Sequence, residues 1–138
     1  MVKEFRRFTI CGYDRAHGLS SGTGVGLVSL AKWFAERGIV VQVLMLHMGE
    51  VSDCPFIQSL VNAGNIRCET LSMDQCPDAA RQARWILGRL LDFRPDVFCP
   101  NYAAPGIFAA RNLGQAEVPI VVVLHSTGVH TESVVSLL

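Results

Sequence analysis

The sequence has no excess of charge of either sign. Lysine and arginine total 12, aspartate and glutamate total 12, and the formal net charge at pH 7 is zero. No segment concentrates basic residues beyond the adjacent Arg6 and Arg7. Proteins that bind nucleic acid present a basic patch to the phosphates, so the composition argues against nucleic acid as a partner.

The sequence also has no C-x-x-C pair and no long hydrophobic run. The absence of such pairs argues against a zinc site, and the apolar run after the N-terminal arginines is too short for a signal peptide or a membrane span. The five cysteines are unevenly spaced and lie mostly in apolar runs, which is typical of reduced thiols: Cys11, Cys54, Cys68, Cys76 and Cys99. We therefore expect a cytoplasmic protein, with peripheral membrane contact left open.

Several nucleotide-binding and catalytic signatures are missing. From Gly22 the chain reads G-T-G-V-G-L, so Leu27 stands where a dinucleotide fingerprint needs a small residue. A Walker A lysine is absent, and neither Ser126 nor Cys11 lies in a G-x-S-x-G elbow. The sequence therefore argues against NAD binding, P-loop chemistry and hydrolase chemistry.

What is present is a regular alternation of strand-like and helix-like apolar patterns. Hydrophobic residues make up 50% of the 138 residues, enough for one domain with a buried core. The patterns predict strands at 8–12, 39–46, 66–71, 97–100 and 120–125, and helices at 24–37, 56–63, 77–93 and 105–113. This order predicts an α/β fold, a Rossmann-like doubly wound parallel sheet in three α/β/α layers with strand order 3-2-1-4-5.

In such sheets, ligands bind beside the first strand, beyond the carboxyl ends of the strands. This rule brings together the glycine loop before the first helix, Asn101 with Tyr102, and His125 with Ser126. Glycine permits close approach to the backbone and a helix N-terminus attracts negative charge, so an anion site is predicted here.

Structural roles explain the same residues and stay open as alternatives. The glycines could serve only the path of a loop, and His125 could cap a strand end rather than orient a polar substrate. His17, in the glycine loop, could face the same cleft. His47 and His130 are expected in solvent.

Taken in order, segments of the chain resemble the N-terminal half of retaining GT-B glycosyltransferases, also called glycosyltransferase group 1. The resemblance rests on the glycine loop and on three segments that follow it: VSLAKWFAERGIVVQV at 28–43, LLDFRPDVF at 90–98 and VPIVVVLHS at 118–126. It implies an enzyme with two Rossmann-like domains that moves a sugar from a nucleotide diphosphate sugar to a sugar, lipid or protein acceptor.

The resemblance also implies roles for individual residues. His125 would act in catalysis beside the transferred sugar, and no metal or cofactor is implied beyond the nucleotide sugar, in keeping with the missing D-x-D. The donor phosphate and sugar would lie against Gly22, Thr23 and Gly24, and the acceptor or sugar against His17, Asn101, Tyr102 and Ser126.

Residues 1–138 are then expected to be one acceptor-side domain, half of a GT-B fold, truncated at its C-terminal end and inactive without its missing C-terminal domain. An exposed edge at strand 120–125 would favour a homodimer. A stand-alone Rossmann-like module that binds an anion or nucleotide, or serves in interactions, is the alternative. A fragment of an NAD-dependent reductase is a third possibility.

Overall fold

Four parallel strands form one sheet in the computed structural model, which describes residues 4–18, 22–101, 103–112 and 118–120. The strands are β1 (Arg7–Arg15), β2 (Val40–Met48), β3 (Ile66–Ser72) and β4 (Val97–Cys99). The helices are α1 (Gly22–Glu36), α2 (Pro55–Ala63), α3 (Ala79–Phe93) and α4 (Ala104–Asn112), and a short 3₁₀-helix, Val51–Asp53, precedes α2. No described helix is long and apolar enough to cross a membrane.

The strand order is β3-β2-β1-β4, which confirms the predicted order of the first four strands. All three strand pairs are parallel. Beyond β4, Ile120 pairs with Phe98 in a parallel bridge, where the predicted fifth strand begins. The rest of that predicted strand, 121–125, lies outside the described residues.

Helices cover both faces of the sheet, which confirms the three-layer arrangement. Neighbouring residues of a strand point to opposite faces, so Ile10 packs in a cluster with α1 and α2, whereas Cys11 packs in a cluster with α3 and α4. Leu27 and Ile57 belong to the first cluster. The sheet is therefore buried on both sides, as continuous apolar strands such as β2 predict.

The first strand and the first helix both extend further than predicted. β1 continues to Arg15 because its nine residues pair in register with β2, from Arg7 with Val40 to Arg15 with Met48. The helix begins at Gly22 rather than Gly24, so part of the predicted glycine loop is helical. The packing of α1 against the rest of the domain outweighs the low helix propensity of the glycines in its first turn.

His47 is buried, so its predicted exposure to solvent is wrong. β2 runs two residues past its predicted end, and His47 is only 6% exposed near the end of this central strand. Its ring Nδ1 lies 3.0 Å from the carbonyl oxygen of Gly49. His130 lies outside the described residues.

A buried polar pair interrupts the otherwise apolar centre of the sheet. Thr9 and Gln42 are fully buried, and the Thr9 hydroxyl donates to Gln42 Oε1 at 2.9 Å. The Gln42 amide donates to Glu69 Oε2 at 2.6 Å, and Arg67 and Arg89 also contact the Glu69 carboxylate. These contacts link β1, β2 and β3 across one face of the sheet.

We expect Gln42→Leu to lower the free energy of unfolding by about 2 kcal/mol, because it leaves the buried Thr9 hydroxyl without its partner. The double variant Thr9→Val with Gln42→Leu should recover part of that loss, since both polar partners are then gone. Urea denaturation of the three proteins measures the difference. Equal losses in the single and double variants would contradict the role of this hydrogen bond.

Candidate functional site

The strand order reverses direction between β1 and β4. From β1 the chain passes through α1 to β2 on one side, and from β3 it passes through α3 to β4 on the other side of β1. The two connections leave the sheet on opposite faces, so a crevice opens between them at the carboxyl ends of β1 and β4. This is the position at which doubly wound sheets bind ligands.

A narrow cleft of about 50 Å³ lies at this point, and we call it the switch-point cleft. Its walls come from the end of β1, the first turns of α1 and the residue after β4: Gly12, Tyr13, Thr23, Gly24, Leu27 and Asn101. Three residues predicted from the sequence, Thr23, Gly24 and Asn101, are thus brought together.

Two glycines allow α1 to pack closely at the cleft. A Cβ atom at Gly12 would overlap the Leu27 side chain, and one at Gly24 would overlap the ring of Phe56 in α2. Close packing of the helix against the sheet and against α2 therefore accounts for glycine at both positions without a ligand.

Gly22 differs from Gly24 because it has open space around it. It is the first residue of α1 and is exposed, and no described atom lies within 4 Å of the position that its Cβ would take. The N-terminal end of a helix carries partial positive charge. A negatively charged ligand near Gly22 would therefore meet the positive end of the α1 dipole.

Asn101 forms the opposite wall of the cleft in an unusual backbone conformation. Its φ of 47° lies in the left-handed region, which asparagine tolerates better than most residues, and only 8% of the residue is exposed. This turn directs the chain from β4 toward α4 next to the cleft.

Tyr13 lines the cleft but was not predicted as a site residue. Burial raises the pKa of Tyr13 to about 12, the nearby Cys11 thiol adds to the rise, and the backbone N–H of Ala104 acts in the opposite direction. The hydroxyl is therefore neutral at physiological pH and can donate or accept a hydrogen bond. Tyr13 lies at the carboxyl end of β1, and this position could have identified it as a site residue from the sequence.

The other predicted site residues do not join the described cleft. The His17 side chain is 80% exposed and lies against the 3₁₀-helix, with Nε2 at 3.5 Å from Asp53 Oδ2. His17 is not among the residues that line the switch-point cleft. Tyr102, His125 and Ser126 lie outside the described residues, so their roles stay predictions.

Asp14 has a structural role at the same edge of the sheet. Its Oδ2 accepts the backbone N–H groups of Phe56 at 2.9 Å and Ile57 at 3.0 Å, in the first turn of α2. Its Oδ1 accepts the N–H of Arg15 at 2.8 Å, and only 7% of the residue is exposed. The carboxylate thus caps α2 from β1, since Cys54 at the N-cap makes no side-chain cap.

We expect Asp14→Ala to lower the free energy of unfolding by about 2 kcal/mol, because two N–H groups of α2 lose their acceptor. Asp14→Asn keeps an acceptor oxygen of the same reach, so its loss should be less than half as large. Thermal and urea unfolding measure both variants. Equal losses would contradict capping as the role of Asp14.

The buried cysteines Cys11 and Cys99 have structural rather than reactive thiols. All five cysteines are free, and burial raises the pKa of Cys99 to about 11 and that of Cys11 well above its usual value. Protonated core thiols are poor nucleophiles. Within the described ranges, no group of three or more His, Cys, Asp or Glu residues is arranged to hold a metal ion.

A parallel α/β sheet with a small cleft at its switch point defines the class as a Rossmann-like domain. Residues 21–137 match the profile of the glycosyl transferase 4-like domain. The chain therefore belongs to the glycosyl transferase 4-like family, which confirms the resemblance to the N-terminal half of GT-B glycosyltransferases.

Solved structures share the fold at low sequence identity. MurG from Acinetobacter baumannii matches with a TM-score of 0.63 and 15% identity, over 96% of this chain and 39% of the MurG chain. The C-terminal domain of a hydrogenase from Pyrococcus furiosus matches with a TM-score of 0.60 and 16% identity, over 88% of this chain and 94% of that domain. The chain thus spans 39% of the length of MurG. A search of curated protein sequences finds no match.

Proposed function

We propose that this chain is the N-terminal, acceptor-side domain of a glycosyltransferase that moves a sugar from a nucleotide diphosphate sugar to an acceptor. The observation that carries the proposal is the switch-point cleft with the first turn of α1 at its rim, in a chain of the glycosyl transferase 4-like family. A second Rossmann-like domain would face this cleft and hold most of the nucleotide.

In the proposed reaction, the bond between the sugar and the diphosphate breaks, and the acceptor hydroxyl forms the new bond to the sugar. The leaving diphosphate gains negative charge, and the dipole of α1, whose positive N-terminal end lies at Gly22, would stabilise it. The diphosphate would take the acceptor proton, so the proposal needs no protein base. It includes no metal or cofactor besides the donor substrate.

Tyr13, Asn101 and the predicted residue His125 would hold the transferred sugar or the acceptor on the N-terminal side of the cleft. The Tyr13 hydroxyl is neutral and can donate to a sugar oxygen. His125 ends the predicted fifth strand, and the resemblance implies that it lies near the sugar.

The proposal predicts that residues 1–138 alone transfer no sugar, whereas the full-length enzyme releases nucleoside diphosphate when an acceptor is present. Incubation of both proteins with a panel of nucleotide sugars and acceptors, followed by chromatography, measures the transfer. His125→Ala in the full-length enzyme should lower turnover by about 100-fold without lowering the melting temperature, because it removes a hydrogen-bonding group beside the transferred sugar.

Two results would contradict parts of this proposal. Transfer by the isolated chain would show that no second domain is needed. Full activity of the His125→Ala enzyme would remove His125 from the catalytic site and leave it a structural residue.

A further inference from the structure

The first turn of α1 forms one wall of the switch-point cleft and touches α2 on its other side. Gly24 lines the cleft, and a Cβ atom added to it would overlap the ring of Phe56 in α2. The ring edge of Phe56 therefore lies directly against the Gly24 backbone. Phe56 itself is not among the residues that line the cleft.

The backbone of Phe56 is held by the strand that ends at the cleft. Asp14 Oδ2 accepts the N–H of Phe56 at 2.9 Å and the N–H of Ile57 at 3.0 Å. Asp14 directly follows Tyr13, which lines the cleft, and only 7% of Asp14 is exposed. Hydrogen bonds to a buried carboxylate are strong, so they fix the first turn of α2 relative to the end of β1.

The Phe56 side chain is not fully enclosed by its neighbours. It is half-buried and borders a pocket of about 410 Å³ that Tyr13, Met48 and Met73 also line. Packing alone fixes a ring poorly where one side faces open space, because that side makes no contacts. The Asp14 cap is therefore needed to keep the ring against Gly24.

Phe56 and Asn101 lie on opposite sides of the first turn of α1. The helix that carries Phe56 connects β2 with β3, whereas Asn101 follows β4 on the other side of β1. A movement of the turn toward α2 therefore widens the cleft between Gly24 and Asn101. Since the cleft has a volume of only about 50 Å³, a shift of a fraction of an ångström changes its shape appreciably.

We propose that Phe56 is a positioning residue that sets the width of the switch-point cleft, because its ring holds the first turn of α1 at a fixed distance from Asn101. Phe56 does not line the cleft, so its effect on a ligand passes through α1. The consequence for catalysis rests on the proposed function, in which the dipole of α1 faces the leaving diphosphate.

Crystal structures of variant chains test the geometry. Leucine is smaller than phenylalanine, so in Phe56→Leu the first turn of α1 should move toward α2 and away from Asn101. Gly24→Ala should move the turn in the opposite direction, because the added methyl group presses on the ring. The double variant should restore the natural distance between the Cα atoms of Gly24 and Asn101.

Leu60→Val is the matched control, because it shortens a fully buried side chain one turn further along α2. It should lower the melting temperature about as much as Phe56→Leu does and leave the distance between Gly24 and Asn101 unchanged.

Kinetics of the full-length enzyme test the consequence at a temperature where circular dichroism shows every variant to be folded. Phe56→Leu should lower kcat about tenfold and leave the acceptor KM within about twofold, because the misplaced dipole acts on charge that develops in the transition state. Leu60→Val should change kcat by less than about twofold, and the double variant with Gly24→Ala should exceed both single variants in kcat. If Phe56→Leu does not fold, Phe56→Met takes its place with a smaller expected loss.

The proposal is overturned if α1 keeps its position in Phe56→Leu, if kcat falls no more than in Leu60→Val, or if the losses of the two single variants add up in the double variant. The proposed function fails separately. If the natural full-length enzyme transfers no sugar, that function is contradicted, and the crystal structures alone decide whether Phe56 sets the width of the cleft.

Discussion

Gly24→Ala is expected to destabilise the domain by about 2 kcal/mol. A Cβ at this position would overlap the ring of Phe56, and overpacking of this kind costs about 1–3 kcal/mol. The gain in helix propensity, up to about 1 kcal/mol, offsets only part of that cost. Urea denaturation should therefore show a clearly lower midpoint with an unchanged slope.

Gly26→Ala provides the matched control two residues along the same helix. Gly26 is exposed, and nothing among the described residues lies within 4 Å of the position of its Cβ. Alanine there should stabilise the domain by about 0.5–1 kcal/mol. The same substitution in one helix is thus expected to change stability in opposite directions.

A compensating variant tests whether the overlap with Phe56 causes the loss. Gly24→Ala combined with Phe56→Leu should recover stability relative to Gly24→Ala, because the smaller side chain leaves room for the new methyl group. If Gly24→Ala is as stable as the natural domain, then α1 and α2 are not packed as closely as the structure shows.

The sequence predicted the strands and their order, but it did not predict where β1 ends or where α1 begins. The apolar run of β2 predicted a central strand, and the alternating pattern of β3 predicted an edge strand. The strand order followed from the rule that crossover connections between parallel strands are right-handed. Those features are local or follow from general rules of chain topology. The ends of β1 and α1 depend on contacts with β2 and α2, which no local pattern contains.

The same distinction applies to the site. The rule for switch points brought together Thr23, Gly24 and Asn101 because it needs only the strand order. It could not show that Gly24 has a packing role, that Asp14 caps α2, or that His47 is buried. Each of these depends on a partner distant in sequence. A glycine-rich stretch therefore predicted the place of the cleft better than the reason for each glycine.

The second large effect is expected at Thr23, where stability and activity should change in opposite directions. An aspartate in the first turn of α1 interacts favourably with the helix dipole, so Thr23→Asp should raise the free energy of unfolding by about 0.3–1 kcal/mol. In the full-length enzyme of the proposed function, the same carboxylate would occupy the rim of the cleft and repel the leaving diphosphate. We expect kcat/KM to fall about 100-fold, which corresponds to about 2.7 kcal/mol of transition-state stabilisation.

Thr23→Asn is the control, because asparagine has nearly the shape of aspartate without its charge. It should lower kcat/KM by less than about tenfold, and only the loss caused by aspartate should shrink as the salt concentration rises. Equal losses in the two variants would mean that shape rather than charge matters at Thr23. Unchanged activity of Thr23→Asp would mean that the donor diphosphate does not approach α1, and the anion site would then have to lie wholly on the second domain.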